Sequence, residues 1–482
     1  MEKKSMFKNS IYKSILSLVN IVVPMIIGPY IARLLDMNLY GIYNKVYAEF
    51  QVFLIFASFG IYTFGIREIS KVRENKEKVN KLITNLFVLG IISNVLVGIV
   101  YTLYALFTSE GITTAIYLVM LIQIVGNIFY IEFMNEALEN YKFITIKSGI
   151  IKVLYLFALL IFVRKPTDII PYAIVISLVN FFNNFISFIY LKKYIKFDFK
   201  NIKIKKYIKP LFLILIISNI DVLFAQLDRI MLGKFTSEVA VTMYYMPYYL
   251  VSTLAAIPYS VIWVSIPRMA YIVENEGKKE YQKVLKKSIS ALYFIILPMC
   301  LGLFVISDEI MLLYAGEKYI ETGIVLALAA IMRIVISTES IHTNLIMYPN
   351  GKEKMLSKFL FSCGIINLIL NFVLVYFKIL TPFTSMFTTM IAETILVTIQ
   401  MIYTKNVLKI KTNLFCKENM RYLLLSLMFV PIAIGFKLID MNVWIRMILI
   451  MISCFTLYVG VLAYKKDENL ALIIDRVFKR GK

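Results

Sequence analysis

The residues that could carry chemistry in this chain are ionisable side chains inside long apolar runs. Residues 216–235 belong to such a run, and they include Asp221, Asp228 and Arg229. A charged side chain at the centre of a bilayer costs roughly 2.5–3.5 kcal/mol on insertion scales, so it needs a partner or a wet surface. On a helix, Asp221 and Asp228 are separated by two turns and are offset by only about 20°. The spacing predicts one narrow polar stripe that faces neighbouring helices or a wet cavity rather than lipid.

The ionisable residues in other apolar runs are Arg33, Glu49, Arg333, Glu339 and Glu393. Asp221 and Arg333 are predicted to lie deepest in the membrane, which favours a functional role because an idle charge there is costly. For Asp228 and Arg229 the alternative is that they only cap the outer end of their helix.

The sequence argues against several kinds of catalytic site. It has no Gly-x-x-x-x-Gly-Lys-[Ser/Thr] phosphate loop and no Gly-x-Ser-x-Gly elbow, so we expect neither ATP hydrolysis nor enzymatic activity. The four cysteines have no Cys-x-x-Cys spacing and His342 is the single histidine, so we expect no metal site and no catalytic residues. We expect no cofactor, and transport would be coupled to H⁺, Na⁺ or the membrane potential.

The elements that must position these residues are membrane-spanning helices. The chain of 482 residues is 60% hydrophobic and only 17% charged, whereas soluble domains are about half apolar and a quarter charged. Apolar runs of about twenty residues, long enough to cross a bilayer, alternate with short polar loops. We predict about fourteen spans, at 13–35, 43–66, 82–108, 113–137, 148–164, 169–191, 210–232, 241–267, 289–307, 322–347, 359–377, 382–404, 421–439 and 443–464.

The basic residues indicate the topology. The formal net charge is +22, and most of the 52 lysine and arginine residues fall on one side when loops are assigned alternately. The positive-inside rule then places both termini in the cytoplasm. This distribution predicts contact with anionic lipid headgroups and argues against nucleic acid as a partner.

The two halves of the chain resemble each other. Arg33 and Arg229 end their spans about two hundred residues apart, and each is followed by a short loop and a Tyr-rich helix start. A repeat of six helices keeps the same orientation, so the repeats are parallel. We therefore predict an all-α integral membrane protein with two six-helix lobes facing a central cleft and two extra C-terminal helices. The predicted parts are an N-lobe at 1–195 with spans one to six, a C-lobe at 196–409 with spans seven to twelve, and 410–482 with the last two spans and a basic cytoplasmic tail.

Several short motifs resemble those of the polysaccharide flippases, which are the Wzx-type members of the multidrug/oligosaccharidyl-lipid/polysaccharide exporter superfamily. The similarity covers spans one to about ten, and Asp36 is a departure because the family usually has glycine there. The motifs are Pro29-Tyr30-Ile31-Ala32-Arg33-Leu34-Leu35, Tyr40-Gly41-Ile42-Tyr43, Gly65-Ile66-Arg67-Glu68-Ile69-Ser70-Lys71, Leu227-Asp228-Arg229-Ile230-Met231-Leu232-Gly233 with Tyr244-Tyr245, and Pro267-Arg268.

The resemblance implies a V-shaped, MATE-like fold around a central cationic cavity in the bacterial cytoplasmic membrane. It also implies a substrate, an undecaprenyl-diphosphate-linked oligosaccharide that is moved from the inner to the outer leaflet for surface polysaccharides such as O-antigen. We expect a monomer that works with a polysaccharide polymerase and glycosyltransferases.

Such a substrate suggests roles for the candidate residues. Arginine binds phosphate oxygens in bidentate fashion, so Arg33, Arg229 and Arg333 are candidates for diphosphate binding. Tyrosine offers a hydroxyl and a flat apolar face to sugars. The glycan-contact candidates are Tyr30, Tyr40, Tyr43, Tyr244, Tyr245 and Tyr248. The candidates for ion coupling or charge balance are Asp221, Asp228, Glu339, Glu393 and Glu49.

Three alternatives stay open from the sequence. An ion-coupled drug or metabolite exporter of the same superfamily would favour an acidic N-terminal half, but the first three spans offer only Glu49 as a deep acid. A peptidoglycan-precursor (lipid II) flippase also suits fourteen helices, although the quoted motifs fit the polysaccharide branch better. A membrane glycosyltransferase or polymerase would need catalytic carboxylates on larger loops than this sequence has.

Overall fold

The computed structural model describes residues 6–72, 75–138 and 140–478. Within these ranges the side chains of residues 6–15, 17, 18, 201, 213, 216–225, 267, 274, 473 and 476–478 are not described. Over this described part the chain is helical and contains no β-strand. Long helices are expected, because in hydrocarbon every backbone N–H and C=O group must be satisfied within the segment itself.

Nineteen α-helices and one π-helical segment follow one another along the described residues. They are α1 (Met6–Leu34), α2 (Met37–Ser58), α3 (Ile61–Val72), α4 (Lys76–Thr108), α5 (Gly111–Asn127), α6 (Glu132–Ala137), α7 (Tyr141–Phe162), α8 (Ile169–Lys192), α9 (Lys205–Phe235), α10 (Glu238–Asn275), α11 (Gly277–Val305), α12 (Ser307–Ala315), α13 (Gly323–Ser340), the π segment (Ile341–Met347), α14 (Glu353–Tyr376), α15 (Pro382–Asn406), α16 (Lys417–Leu427), α17 (Phe429–Lys437), α18 (Val443–Tyr464) and α19 (Glu468–Phe478).

The helices match the predicted spans in order and position. Twelve segments among the described residues are long and apolar enough to cross a membrane. Helices α1 and α9 coincide with the first and seventh predicted spans, and α1 contains the shorter apolar stretch Val19–Leu34. The all-α, multi-pass fold class is therefore confirmed, with a span number close to the predicted fourteen.

The second span differs most from its prediction. It was expected at 43–66, but α2 begins at Met37 because the Asp36 carboxylate caps the helix by accepting from the backbone N–H groups of Asn38 and Leu39 at 2.9 and 3.0 Å. The helix ends at Ser58, and Phe59 and Gly60 have φ values of 47° and 70°. A Cβ atom on Gly60 would lie 2.9 Å from the Leu211 carbonyl oxygen of α9, so close helix packing and the break both favour glycine.

Three other predicted spans are interrupted, and one of them, expected at 421–439, consists of α16 and α17, separated at Met428. The span expected at 113–137 consists of α5 and the short helix α6, separated by residues 128–131. The span expected at 322–347 continues from α13 into the π segment, where each turn contains an extra residue. Such π-helical turns are rare and frequently lie at functional sites.

The chain forms two compact units that divide between Thr242 and Met243, near the start of α10. The first unit contains α1 to α9, and the second contains α11 to α19 with most of α10. The lobe boundaries expected from the repeat, after residues 195 and 409, and the arrangement of the lobes stay predictions.

Candidate functional site

Arg333 lies buried inside the second unit, on helix α13. Its guanidinium group lies 5.5 Å from the centre of the Tyr248 ring, in a cation–π contact, and donates a hydrogen bond to Ser252 Oγ. It also contacts the hydroxyl of Tyr259. All three partners belong to α10, so the guanidinium of Arg333 lies in a pocket between α10 and α13.

No carboxylate pairs with Arg333 among the described residues, and its Nε atom is buried without a hydrogen-bond partner. Ser337, one turn further along α13, instead donates to the Tyr259 hydroxyl at 3.3 Å. The groups that contact this guanidinium directly are neutral, so part of its donor capacity is unused, and the nearest carboxylate the structure links to it is Glu339, which acts electrostatically on Tyr259. The pocket is therefore suited to an anion.

Glu339 follows Arg333 and Ser337 along α13; it interacts electrostatically with Tyr259, but its own hydrogen bonds go to other residues. Its carboxylate accepts hydrogen bonds from Thr343 in the π segment and from Gln400 Nε2 of α15, the latter at 3.1 Å. The side chain of Gln400 is fully buried, and its Oε1 atom has no hydrogen-bond partner among the described residues. Glu393, also on α15, lies near Cys363 of α14.

Arg229 is the corresponding buried cation of the first unit. It lies on α9, donates a hydrogen bond to Gln226 one turn earlier, and interacts electrostatically with Tyr47 of α2. The neighbouring carboxylate of Asp228 is also buried, with 2% of the residue exposed. Asp221 lies among the residues whose side chains are not described, so the predicted stripe with Asp228 stays a prediction.

Arg33 differs from the other two arginines because it is exposed, at the C-terminal end of α1. On the same helix, Tyr30 donates its hydroxyl hydrogen to the carbonyl oxygen of Val163 at 2.5 Å. This bond connects α1 to the end of α7, so Tyr30 has a structural role besides its predicted glycan contact.

Glu49 is held by tyrosines in the first unit. The hydroxyl of Tyr104 on α4 donates to Glu49 Oε2 at 2.9 Å, and the hydroxyl of Tyr117 on α5 donates to the same oxygen. Tyr101 lies nearby, with a buried hydroxyl that has no hydrogen-bond partner among the described residues. Glu49 is thus a buried carboxylate that neutral donors satisfy.

The remaining candidate tyrosines form stacked pairs. In the first unit, Tyr40 and Tyr43 are buried, stack at 6.3 Å and contact the Tyr172 ring edge-on. In the second unit, Tyr244 stacks on Tyr248 at 6.1 Å. Tyr245 stacks on Tyr249 at 5.5 Å. Their glycan contacts stay predictions, and the Tyr248 ring lies against a candidate arginine, Arg333.

Two buried ionic clusters were missed by the sequence analysis. Lys147 of α7 pairs with Glu132 of α6 at 3.0 Å. Glu309 of α12 pairs with Arg446 of α18 at 3.3 Å and with Lys437 at 3.9 Å. The partners are distant in sequence, and the lysines lie near predicted span ends, where charges are ordinary. Among the described side chains, no group of three or more His, Cys, Asp and Glu residues could hold a metal.

The fold is similar to that of solved transporters. The lipid II flippase MurJ in an inward closed conformation matches with a TM-score of 0.72 at 14% identity, over 96% of this chain and 99% of that one. An inward-facing multidrug resistance MATE family transporter of the MOP superfamily matches with a TM-score of 0.58 at 11% identity, over 81% of this chain and 97% of that one. At these identities the likeness shows the fold.

Sequence relatives and a family model give the identity of the chain. Proteins named "Putative O-antigen transporter" from Shigella dysenteriae and Escherichia coli (strain K12) are 23% and 22% identical, over 74% and 77% of this chain and 90% of each relative. The model of the family described as polysaccharide biosynthesis protein matches residues 6–273, more than half of the chain. The chain therefore belongs to the polysaccharide biosynthesis protein family, and the predicted resemblance to Wzx-type flippases of the multidrug/oligosaccharidyl-lipid/polysaccharide exporter superfamily is confirmed.

Proposed function

We propose that this chain moves an undecaprenyl-diphosphate-linked oligosaccharide from the inner to the outer leaflet of the bacterial cytoplasmic membrane by alternating access. The names of the relatives and the MurJ-like fold support transport of a polysaccharide precursor rather than catalysis. The isoprenoid tail can stay in lipid, whereas the glycan and the diphosphate need a polar path because hydrocarbon offers them no hydrogen bonds.

The observation that carries the proposal is the buried Arg333, which has no carboxylate as a direct partner among the described residues. A guanidinium in hydrocarbon surroundings attracts an anion strongly because low dielectric weakens screening. The planar fork of arginine also matches two phosphate oxygens at once. Tyr248 holds the guanidinium by its ring and supplies no negative charge, so it does not compete for the ligand.

Arg229 and Arg33 would contribute further positive charge to the path. Arg229 is buried and donates a hydrogen bond to Gln226, and Arg33 is exposed at the end of its helix. We propose that Arg33 and Arg229 meet the diphosphate at other stages of the cycle than Arg333. Asp228 would balance charge next to Arg229 when no substrate is bound.

The energy would come from an ion gradient or the membrane potential, since the sequence has no phosphate loop. Glu49 is the best placed acid for a coupling proton or Na⁺ in the first unit, because two tyrosine hydroxyls already converge on one of its oxygens. Glu339, bonded to Thr343 and Gln400, is the corresponding acid in the second unit. Both termini would be cytoplasmic, and the protein would act as a monomer beside its polymerase and glycosyltransferases.

The test uses a host strain whose own copy of the gene is deleted. Variants Arg333→Ala and Arg333→Lys are returned on a plasmid, and surface polysaccharide and lipid-linked intermediates are quantified at equal protein level. Loss of a charge-assisted contact predicts at least about a tenfold fall in polymer for Arg333→Ala. We expect an intermediate value for Arg333→Lys, which keeps the charge without the fork.

The control is Arg164→Ala, an exposed arginine in the loop after α7, which should leave the polymer at its normal level. Normal polymer in both Arg333 variants would contradict the proposal. Rescue of cells depleted of their lipid II flippase would favour the peptidoglycan alternative, and drug sensitivity of the deletion strain with normal polymer would favour the exporter.

A further inference from the structure

A lysine lies in the middle of a membrane helix. The span predicted at 148–164 would place Lys152 near one end of its helix, but α7 begins at Tyr141 and ends at Phe162. Lys152 is therefore about midway along a helix that is apolar enough to cross the membrane. An ionisable residue at this depth is costly, and it is a hypothesis for a functional site by default.

The face of α7 around Lys152 is polar along most of the helix. Thr145, Ser148, Lys152 and Tyr155 follow one another at i, i+3, i+7 and i+10, which places them on one narrow side. Thr145 is buried and the other three are partly buried. We call these four residues the polar stripe of α7.

The opposite face of the helix is exposed and apolar. Ile150, Leu154 and Phe157 are each more than half exposed, and all lie on the side away from Lys152. This side fits the surrounding lipid. Lys152 points away from it, toward the helices that pack against α7.

No carboxylate balances the charge of Lys152. Its ammonium group donates a hydrogen bond to Asn20 Oδ1 on α1, and no charged partner acts on it among the described residues. Helices α1 and α8 both pack against α7, and the sequences of these three helices contain no aspartate or glutamate. The two acids of the neighbouring α6 are engaged elsewhere, Glu132 with Lys147 at 3.0 Å and Glu136 with the Tyr62 hydroxyl at 2.9 Å.

We propose that Lys152 and Asn20 form an anion-binding site within the first unit, for an oxyanion of the transported molecule. This inference rests on the proposed function. The Asn20 carbonyl already accepts from Lys152, and its amide N–H groups make no hydrogen bond to the described residues. The exposed Asn20 and the ammonium group together offer donors and a positive charge, which suit a phosphate or a carboxylate.

The oxyanion has two possible sources in one molecule, the lipid diphosphate and an acidic sugar. The experiment separates them with two probes, farnesyl diphosphate and trigalacturonic acid, and measures their binding to the purified full-length chain in lipid nanodiscs. The variants are Lys152→Met and Lys152→Gln, of which the second keeps a hydrogen-bonding group for Asn20. The control is Lys142→Met, which removes an exposed lysine at the start of the same helix.

We expect both Lys152 variants to bind one of the probes about tenfold more weakly, as for the loss of one charge-assisted contact, and Lys142→Met to bind like wild type. Weaker binding of farnesyl diphosphate identifies the diphosphate as the ligand, and weaker binding of trigalacturonic acid identifies an acidic sugar. The thermal midpoints of the variants should equal or exceed that of wild type, because no ion pair is broken.

The proposal is overturned if both Lys152 variants bind both probes like wild type, if wild type binds neither probe, or if both variants lose thermal stability as a structural lysine would. Arg333→Leu in the same assay keeps the two proposals apart. If it loses farnesyl diphosphate binding while the Lys152 variants bind normally, the proposed function stands and the role of Lys152 fails.

Discussion

Buried charges in this chain are stabilised in three different ways. Lys147 has an opposite charge at 3.0 Å, Glu49 has hydroxyl donors, and Arg333 has the face of an aromatic ring. Only the first of these neutralises the charge. Carboxylates held by neutral donors remain available for a cation or a proton, and a cation held by a ring remains available for an anion. The partner of each side chain therefore gives more information on its role than its depth.

Asp36 has a definite structural role, although Wzx-type flippases usually have glycine at this position. Replacing Asp36 with alanine removes the acceptor for two backbone N–H groups at the start of α2. We expect a loss of about 1 kcal/mol in the free energy of unfolding, measured by thermal unfolding of the purified protein. Asp36→Asn keeps an acceptor and should behave nearly like wild type. Equal losses for both variants would show that the charge, and not the cap, is important.

The sequence identified the buried arginines but not their partners. Arg333 stood out because it interrupts an apolar run, which is a local signal. Ser252 and Tyr248 are about eighty residues away in the chain, and nothing in their own surroundings marks them as its neighbours. Lys147 was missed for a related reason, since a lysine near a span end is ordinarily exposed and only packing against α6 buries it.

At the scale of elements, hydropathy predicted which segments are helical but not where each helix bends. The predicted span at 322–347 continues as a helix through residues 341–347, and there it takes the π form. A π-helical turn depends on packing and on polar contacts, such as those of Thr343 with Glu339 and Gln400. The contact with Gln400 joins elements that are 57 residues apart in the chain, so hydropathy contains no signal for it.

Helix packing in membranes relies on small residues, and Gly41 is the sharpest case. A Cβ atom at Gly41 would collide with the backbone carbonyl group of Glu238 at the start of α10. We expect Gly41→Ala to lower the free energy of unfolding by about 1–3 kcal/mol, because a backbone cannot rotate aside as a side chain can. Thermal unfolding of the purified variant measures this loss.

Gly149→Ala on α7 is the matched control for Gly41→Ala. No heavy atom lies within 4 Å of its Cβ position, so the substitution should cost nothing and should favour the helix. A Gly41→Ala protein as stable as Gly149→Ala would contradict the close approach of Gly41 to Glu238.

At the scale of the whole molecule, two signals of different origin agree. The assignment of most lysines and arginines to one side requires an even number of spans between the termini. The described residues contain twelve candidate spans, and α1 and α9 are two further long helices. All of them fall at the predicted places. Charge and hydropathy are both sums over many residues, which is why the architecture was predictable while the local geometry of the sites was not.

The same charge distribution predicts the orientation in the membrane, and this prediction can be tested directly. Starting from a variant with the four cysteines replaced by serine, single cysteines are introduced as Glu110→Cys, between α4 and α5, and Lys200→Cys, between α8 and α9. Both positions are exposed. With cytoplasmic termini, a membrane-impermeant maleimide should label the first on intact spheroplasts and the second only after lysis. The reverse pattern would place the basic loops outside and contradict transport from the inner to the outer leaflet as proposed, whereas labelling of both sites on intact cells would mean that a span has been miscounted.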